Sequence, residues 1–246
     1  MKVVLFCGGL GMRIREFSEN IPKPMVPIGY RPILWHVMKY YAHFGHKEFI
    51  LCLGYKADVI KKYFLNYDEC LSNDFTLSGA GNVNLVNSDI HDWKISFVDT
   101  GINTNIGGRL RAVRDHLGDD EYFLANYSDN LTDVALPEMI DKFRGQDCVA
   151  SFLCVRPSQS FHMVTLDRQN VVSRITHAGK ADLRINGGYF VLRKEAKWHD
   201  GVPITVDDVI WSFDILRTKG LPHFRAYYAS VERTERRKNH TTRAAR

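Results

Sequence analysis

No run of about 18 apolar residues occurs anywhere in the 246-residue chain, so a transmembrane helix is not expected. The apolar stretch Met1 to Cys7 is too short for a secretory signal and reads as a buried first strand. Cysteine is sparse. Cys7, Cys52, Cys70, Cys148 and Cys154 form no C-x-x-C pair, and an odd number without metal-type spacing points to free, mostly buried thiols in a reducing cytosol. No internal repeat appears. The body of the chain also lacks an excess of charge. The net +5 resides in residues 233–246, where six cations meet one anion, and the rest of the chain balances. No folded basic face for nucleic acid is therefore expected. The tail has no apolar period and reads as disordered, with a nucleic-acid arm as the alternative.

What remains is ordinary for a folded domain: 45% hydrophobic and 25% charged residues, enough for one large core or two small ones. Strand and helix patterns alternate. Val3–Cys7 is an apolar strand that runs into Gly8-Gly9-Leu10-Gly11. After Pro32, Leu34, Val37, Met38 and Tyr41 recur at helical spacing. Strands are expected at Phe49–Leu53, Ile95–Val98, Tyr122–Ala125 and Val149–Val155, with helices over Ala57–Leu65, through Leu110, Val113 and Leu117, and over Leu136–Phe143. Residues 162–192 read as shorter and β-rich. This order implies an α/β fold whose mostly parallel sheet carries helices on both faces. Beyond residue 195, Thr205 can cap a helix whose face carries Val206, Val209, Ile210, Phe213 and Leu216.

Two segments carry chemistry. Glycines after a strand let backbone amides crowd around a phosphate, and Arg13 can fork onto its oxygens; the bland alternative is a plain tight turn. A dinucleotide fingerprint would need Gly or Ala at position 14, where Ile14 stands, and the P-loop pattern is also missing. Downstream, Pro22 and Pro24 flank Lys23 in what reads as an extended, stiff segment presenting one lysine, or else a structural turn.

Residues 1–192 resemble the sugar-phosphate nucleotidyltransferase family. The two-part signature is Gly8-Gly9-Leu10-Gly11-Met12-Arg13 followed by Pro22-Lys23-Pro24-Met25. The stretches from Gly29 to His36, Val98-Asp99-Thr100-Gly101, Gly107-Gly108-Arg109-Leu110 and Ile185 to Leu192 are similar to its glucose-1-phosphate cytidylyltransferase branch. The resemblance implies a Rossmann-like sheet. It also implies transfer of a nucleotidyl group from an NTP, with CTP favoured, to a sugar-1-phosphate, with glucose-1-phosphate favoured. Gly8, Gly9, Leu10 and Gly11 would hold the nucleotide, with Gly107 and Gly108 admitting base and ribose. Arg13 and Lys23 would act on the phosphates, and Asn186 and Gly187 would face the sugar. Asp129, in Asn126-Tyr127-Ser128-Asp129-Asn130, would hold Mg²⁺, the implied cofactor; read alone, it is a turn residue or helix cap. Ser128 and Asn130 stand where the family carries glycine. Asp133 reads as a cap of the next helix. The implied setting is cytoplasmic, without membrane or nucleic-acid partner, and compatible with a homo-oligomer.

Two departures stand out. Thr176-His177-Ala178 occupies the place of the family's Glu-Lys-Pro, leaving Lys180 or Arg184 as substitutes. Past Leu192 the family's second metal aspartate has no counterpart. Residues 193–232 instead resemble a fragment of the solute-binding proteins of oligopeptide transporters, through Trp198-His199-Asp200-Gly201 and Asp207-Asp208-Val209-Ile210-Trp211-Ser212-Phe213. The expected organisation is an incomplete transferase domain over 1–192, a foreign helical segment over 193–232, and a basic tail over 233–246. The alternatives are a genuine replacement C-terminal domain and, for function, a catalytically impaired nucleotide-binding protein.

Overall fold

Alternate residues of the first strand, β1 (Val3–Phe6), are buried on opposite faces: Val3 and Leu5 on one side, Val4 on the other. A strand buried on both faces carries a continuous apolar run instead of an alternating one, which is the pattern of a central parallel strand. In the computed structural model, which describes residues 1–9, 21–157, 161–180, 183–195, 211, 215, 218–219, 233–236 and 242–245, β1 lies in the middle of a six-stranded sheet. Short antiparallel strands β2 (Pro27–Ile28) and β3 (Arg31–Pro32) precede β4 (Glu48–Leu53); β5 (Phe75–Ser78) and β6 (Asn82–Leu85) form a hairpin. Then come β7 (Lys94–Asp99), β8 (Tyr122–Asn126), β9 (Ala150–Val155), the β10 (His162–Leu166) and β11 (Val172–His177) hairpin, and β12 (Ile185–Arg193). The main sheet runs β7-β4-β1-β8-β12-β9. Its first four strands are parallel, and β12 is antiparallel to both β8 and β9.

Helices cover both faces, as the sequence implies. Helix α1 (Ile33–His43) buries Leu34, Trp35, Val37, Met38 and Tyr41, positions separated by three or four residues. It stops where Gly45 takes φ +84° and its amide reaches the Ala42 carbonyl at 2.9 Å. Helix α2 (Ala57–Leu65) adds Ile60 to the same core. The single helix expected through Leu110 to Leu117 is instead two pieces, α3 (Ile106–Ala112) and a 3-10 turn at Arg114–Leu117, and these place Val113 and Leu117 on the opposite core. Helix α4 (Leu136–Arg144) returns to the first face with Leu136, Ile140 and Phe143. Its N-cap is Ala135, not Asp133. Two of the five cysteines, Cys7 and Cys52, are buried; Cys70 and Cys148 are half-buried and Cys154 is exposed.

Met1–Lys194 forms one compact unit, and Glu195–Arg246 a second. In the second, β13 (Arg233–Arg236) pairs antiparallel with β14 (Thr242–Ala245), which differs from the disordered tail that composition suggested. Local backbone pairing does not require the apolar period on which that reading relied. The helix expected over 205–216 lies largely outside the described residues. No helix among the described residues is long and apolar enough to cross a membrane.

The excursion between α2 and β7 is held by polar contacts. Arg31, 2% exposed, donates from Nε to Ser72 Oγ (2.9 Å) and from Nη2 to the Asp68 carbonyl (2.7 Å), and stacks on Tyr67 with its guanidinium 4.1 Å from the ring centre. Asp89 Oδ2 accepts from Ser72 (2.5 Å), Asn73 (2.9 Å) and Tyr67 (3.1 Å), while Lys39 reaches Oδ1 at 3.2 Å. Desolvation pushes the Asp89 carboxyl up, but the hydrogen bonds from Ser72 and Lys39 and the Lys39 charge outweigh it, and the net shift is downward. A depressed folded-state pKa means that stability from Asp89 is complete above the ordinary carboxylate value of about 4 and is lost as pH falls through the lower folded value. Asp89→Asn is therefore expected to cost about 2–3 kcal/mol at pH 7. In urea titrations the gap between the variant and wild type should narrow below about pH 4.

Candidate active site

In an open α/β sheet, ligands bind beyond the carboxyl ends of the strands where the strand order reverses. Here that point lies between β1 and β8, because β1 is followed outward by β4 on one side and β8 on the other. Lys23 and Asp129, 106 residues apart in sequence, meet at the carboxyl end of β8, with Lys23 Nζ 2.5 Å from Asp129 Oδ2. Both side chains are about one-quarter exposed, at 28% and 25%. The Lys23 backbone is rigid for a reason that differs from the expected extended segment. Pro22 is extended (φ −68°, ψ 146°), but Lys23–Met25 closes into a 3-10 turn, with Met25 N donating to Pro22 O at 2.7 Å and Val26 N to Lys23 O at 3.1 Å.

The loop that carries Asp129 is equally constrained. The Asn126 side chain accepts from Ser128 N at 2.6 Å. Ser128 is fully buried at φ +62°, the left-handed region that glycine occupies without cost, and its Oγ lies 2.8 Å from the Phe6 carbonyl of β1. That is the position where the family resemblance places a glycine. Asn130, at the second such position, donates from Nδ2 to Gly187 O, and Tyr189 Oη donates to Asn130 O at 2.9 Å. The Asp129 loop is thereby tied to both β1 and β12.

On the β12 side the ladder to β9 shifts register between Asn186 and Phe190. Gly188 takes φ +78° within this irregularity, and a Cβ there would lie 2.9 Å from the Tyr127 ring and 3.0 Å from the Asn130 amide. Asn186 is exposed, with Nδ2 donating to Tyr127 Oη (3.1 Å) and Oδ1 accepting from Gly188 N (2.8 Å). Asn186, Gly187 and Asp129 thus belong to one constellation.

The glycine loop is anchored by a residue whose role the sequence reading missed. Arg109 of α3 is 4% exposed and points its guanidinium at the carboxyl ends of three strands. Nη1 donates to Leu53 O (3.0 Å) and Thr100 Oγ1 (2.5 Å), and Nη2 to Gly8 O (3.0 Å) and Ile102 O (3.3 Å). A Cβ on Gly8 would sit 2.1 Å from Nη1, so glycine is needed there for the arginine rather than for a ligand alone. A charged residue immediately after two glycines at a helix start was the only sequence signal. Gly107 and Gly108 open that helix, and Asn105 Oδ1 caps it by accepting from Gly108 N at 2.8 Å. Gly9 is exposed beside Gly8. Leu10, Gly11 and Arg13 lie outside the described residues. Burial pushes the Cys7 thiol up to about 12, so this cysteine stays protonated at neutral pH and offers no nucleophile beside the loop.

Among the described residues no three His, Cys, Asp or Glu side chains gather to hold a metal on their own. The Asp129 carboxylate fits Mg²⁺, which is commonly bound by one or two carboxylates plus substrate phosphates, in exchange for the Lys23 ammonium it holds here.

The family model described as nucleotidyl transferase matches residues 2–178. The chain belongs to that family. It is 39% identical over 193 residues to the probable glucose-1-phosphate cytidylyltransferase of Bacillus subtilis, covering 78% of the present chain and 74% of the relative. It is 40% identical to the glucose-1-phosphate cytidylyltransferase of Salmonella typhimurium, covering 78% and 75%. The crystal structure of HddC from Yersinia pseudotuberculosis shares the fold at 24% identity, with a TM-score of 0.53 over 78% of this chain and 76% of that one. A second family model, the middle part of bacterial extracellular solute-binding proteins of family 5, matches residues 189–245.

Gly8→Ala tests the anchor of the glycine loop. Forcing a methyl against a pinned guanidinium is expected to destabilise the protein by about 1–3 kcal/mol. The loss should shrink in an Arg109→Ala background, because the clash is then gone. Thermal unfolding of the four proteins in that cycle measures the coupling.

Proposed function

We propose that this chain transfers a nucleotidyl group from an NTP, CTP by preference, to a sugar-1-phosphate, glucose-1-phosphate by preference. A phosphate oxygen of the sugar-1-phosphate attacks the α-phosphorus. The bond from that phosphorus to the β-phosphate bridging oxygen breaks, and NDP-sugar and pyrophosphate result. The observation that carries this reading is the meeting of Lys23 with Asp129 at the switch point of the sheet. Family membership and the named activity of relatives near 40% identity support it.

The proposed roles follow from position. Gly8, Gly9, Leu10 and Gly11 cradle the nucleotide after β1, with Arg13 on its phosphates. Gly107 and Gly108 leave room for base and ribose. Lys23 neutralises charge that develops on the phosphoryl oxygens, and Asn186 and Gly187 orient the sugar. Asp129 would hold Mg²⁺, which, when bound, supplies charge neutralisation on the phosphates. The protein's task is otherwise positioning, which suits a displacement that needs little acid or base chemistry. We place the work in the cytoplasm, in keeping with five cysteines free of disulfides. Apolar faces on the hairpins, Leu77 with Val83 and Val164 with Ile175, are exposed and fit a homo-oligomer.

A second reading, an impaired nucleotide-binding protein, is favoured by one observation: the match to solute-binding proteins begins at residue 189, and about a quarter of the Bacillus subtilis and Salmonella typhimurium relatives lies outside the aligned region. We accordingly propose a transferase domain over 1–192, a solute-binding-protein-like segment over 193–232, and a basic tail over 233–246. Limited trypsin digestion is expected to cut first in the tail, then near Arg193, Lys194 and Lys197, leaving a core of residues 1–192. Resistance of 193–232 would show one cooperative domain.

Incubation with CTP, Mg²⁺ and glucose-1-phosphate, read as pyrophosphate release, separates the two functions. Turnover is expected, and CTP binding in calorimetry without turnover would establish the second reading. Lys23→Met should lower turnover by on the order of 10²-fold with little change in melting temperature, as for loss of a preorganised electrostatic group. A large stability loss at unchanged specific activity would reduce Lys23 to a structural turn.

A further inference from the structure

The Lys23–Asp129 contact has a consequence for how ligands enter. Asp129 Oδ2 carries the Lys23 ammonium at 2.5 Å. A divalent ion on the same carboxylate, at about 2.0–2.1 Å if Mg²⁺, would set two cations against each other across a few ångströms. The backbones on both sides are fixed: Lys23 by its 3-10 turn, and Asp129 by the buried left-handed Ser128 before it and the Asn130 to Gly187 hydrogen bond after it. Any exchange of partners therefore falls to the two side chains, of which Lys23 is the longer and more flexible. The pair is one-quarter exposed at each end, so its strength is modest and a stronger anion can displace the carboxylate.

We propose that Lys23 and a divalent cation compete for the Asp129 carboxylate, and that nucleotide phosphates end the competition by taking Lys23 over. Metal and nucleotide binding are then positively coupled through this one ion pair, and the coupling is reciprocal. This rests on the nucleotide reading of the site. In the exchange the ammonium moves from carboxylate to phosphate and the cation takes the vacated oxygen, so each charge finds an opposite partner. Without nucleotide, Lys23 holds the site against free metal.

The test uses the full chain and needs no turnover. Mn²⁺ binding without nucleotide is followed by the electron paramagnetic resonance signal of the free ion. Lys23→Met is expected to bind Mn²⁺ roughly threefold to tenfold tighter than wild type. That gain should vanish in an Asp129→Asn background. CTP binding in the presence of a chelator is measured by calorimetry. Asp129→Asn is expected to tighten it severalfold, and by less when Lys23 is already Met, because releasing the lysine is part of the gain. Melting temperatures of the variants identify any that fail to fold, and Lys23→Gln serves as a second neutral replacement. Unchanged or weaker Mn²⁺ binding by both neutral Lys23 variants would overturn the proposal, as would an Asp129→Asn effect on CTP that is independent of Lys23. A chain in which the Lys23 variants gain Mn²⁺ affinity but no form binds CTP, with or without Mn²⁺, would leave the competition standing. It would defeat the nucleotide reading and, with it, the coupling.

Discussion

The Arg109 guanidinium is the point on which the site's framework rests. The carboxyl ends of parallel strands leave carbonyl oxygens without ladder partners, and buried carbonyls need donors. Arg109 adds donors at three strand ends together, reaching the Gly8, Leu53 and Ile102 carbonyls and the Thr100 hydroxyl from a single side chain, alongside the Thr100 N to Leu53 O and Tyr55 N to Gly8 O bonds. A lysine offers a point charge with no rigid fork and could not reproduce that spread of donors. The glycine at position 8 follows from the arginine: a loop that gives its carbonyl to a buried guanidinium must carry no side chain on that side.

The rest of the architecture repeats this arrangement, with buried polar groups joining parts of the chain that the apolar core does not reach. Ser128 joins the β8 loop to β1, Asn130 joins it to β12, and Arg31 with Asp89 holds the excursion before β7 against α1. The two apolar clusters on the faces of the sheet supply nondirectional stabilisation. The polar links supply direction, and the loops around Lys23 and Asp129 are defined by them.

Much of the sheet was legible because both-face burial and helical spacing leave strong periodic signals. Val3–Phe6, Glu48–Leu53, Ala57–Leu65 and Leu136–Arg144 fall within a residue or so of where their patterns place them. The hairpin of Phe75–Ser78 with Asn82–Leu85 was not, since its apolar residues are exposed and its strands are held by local backbone pairing, which leaves no burial pattern in the sequence. At the site, the candidates Lys23, Asp129, Asn186 and Gly187 were named from motifs, and the structure brings them to one end of the sheet. The role of Arg109 was hidden, because its place after Gly107 and Gly108 does not by itself mark an arginine that will be buried against a strand end 101 residues away. The 3-10 turn at Lys23 was hidden as well: two flanking prolines favour extension locally, and hydrogen bonds across the turn override them.

The same separations bear on how the chain is made. Gly8 waits for an arginine 101 residues later, and Lys23 for an aspartate 106 residues later. During synthesis the glycine loop and the Pro-Lys-Pro turn leave the ribosome early, and for more than 100 residues they have neither of these partners. Such distant contacts carry a high loop-closure cost and form late. Half of the constellation thus exists in the nascent chain as an unanchored segment, and it becomes a site only when α3 and then the loop after β8 arrive.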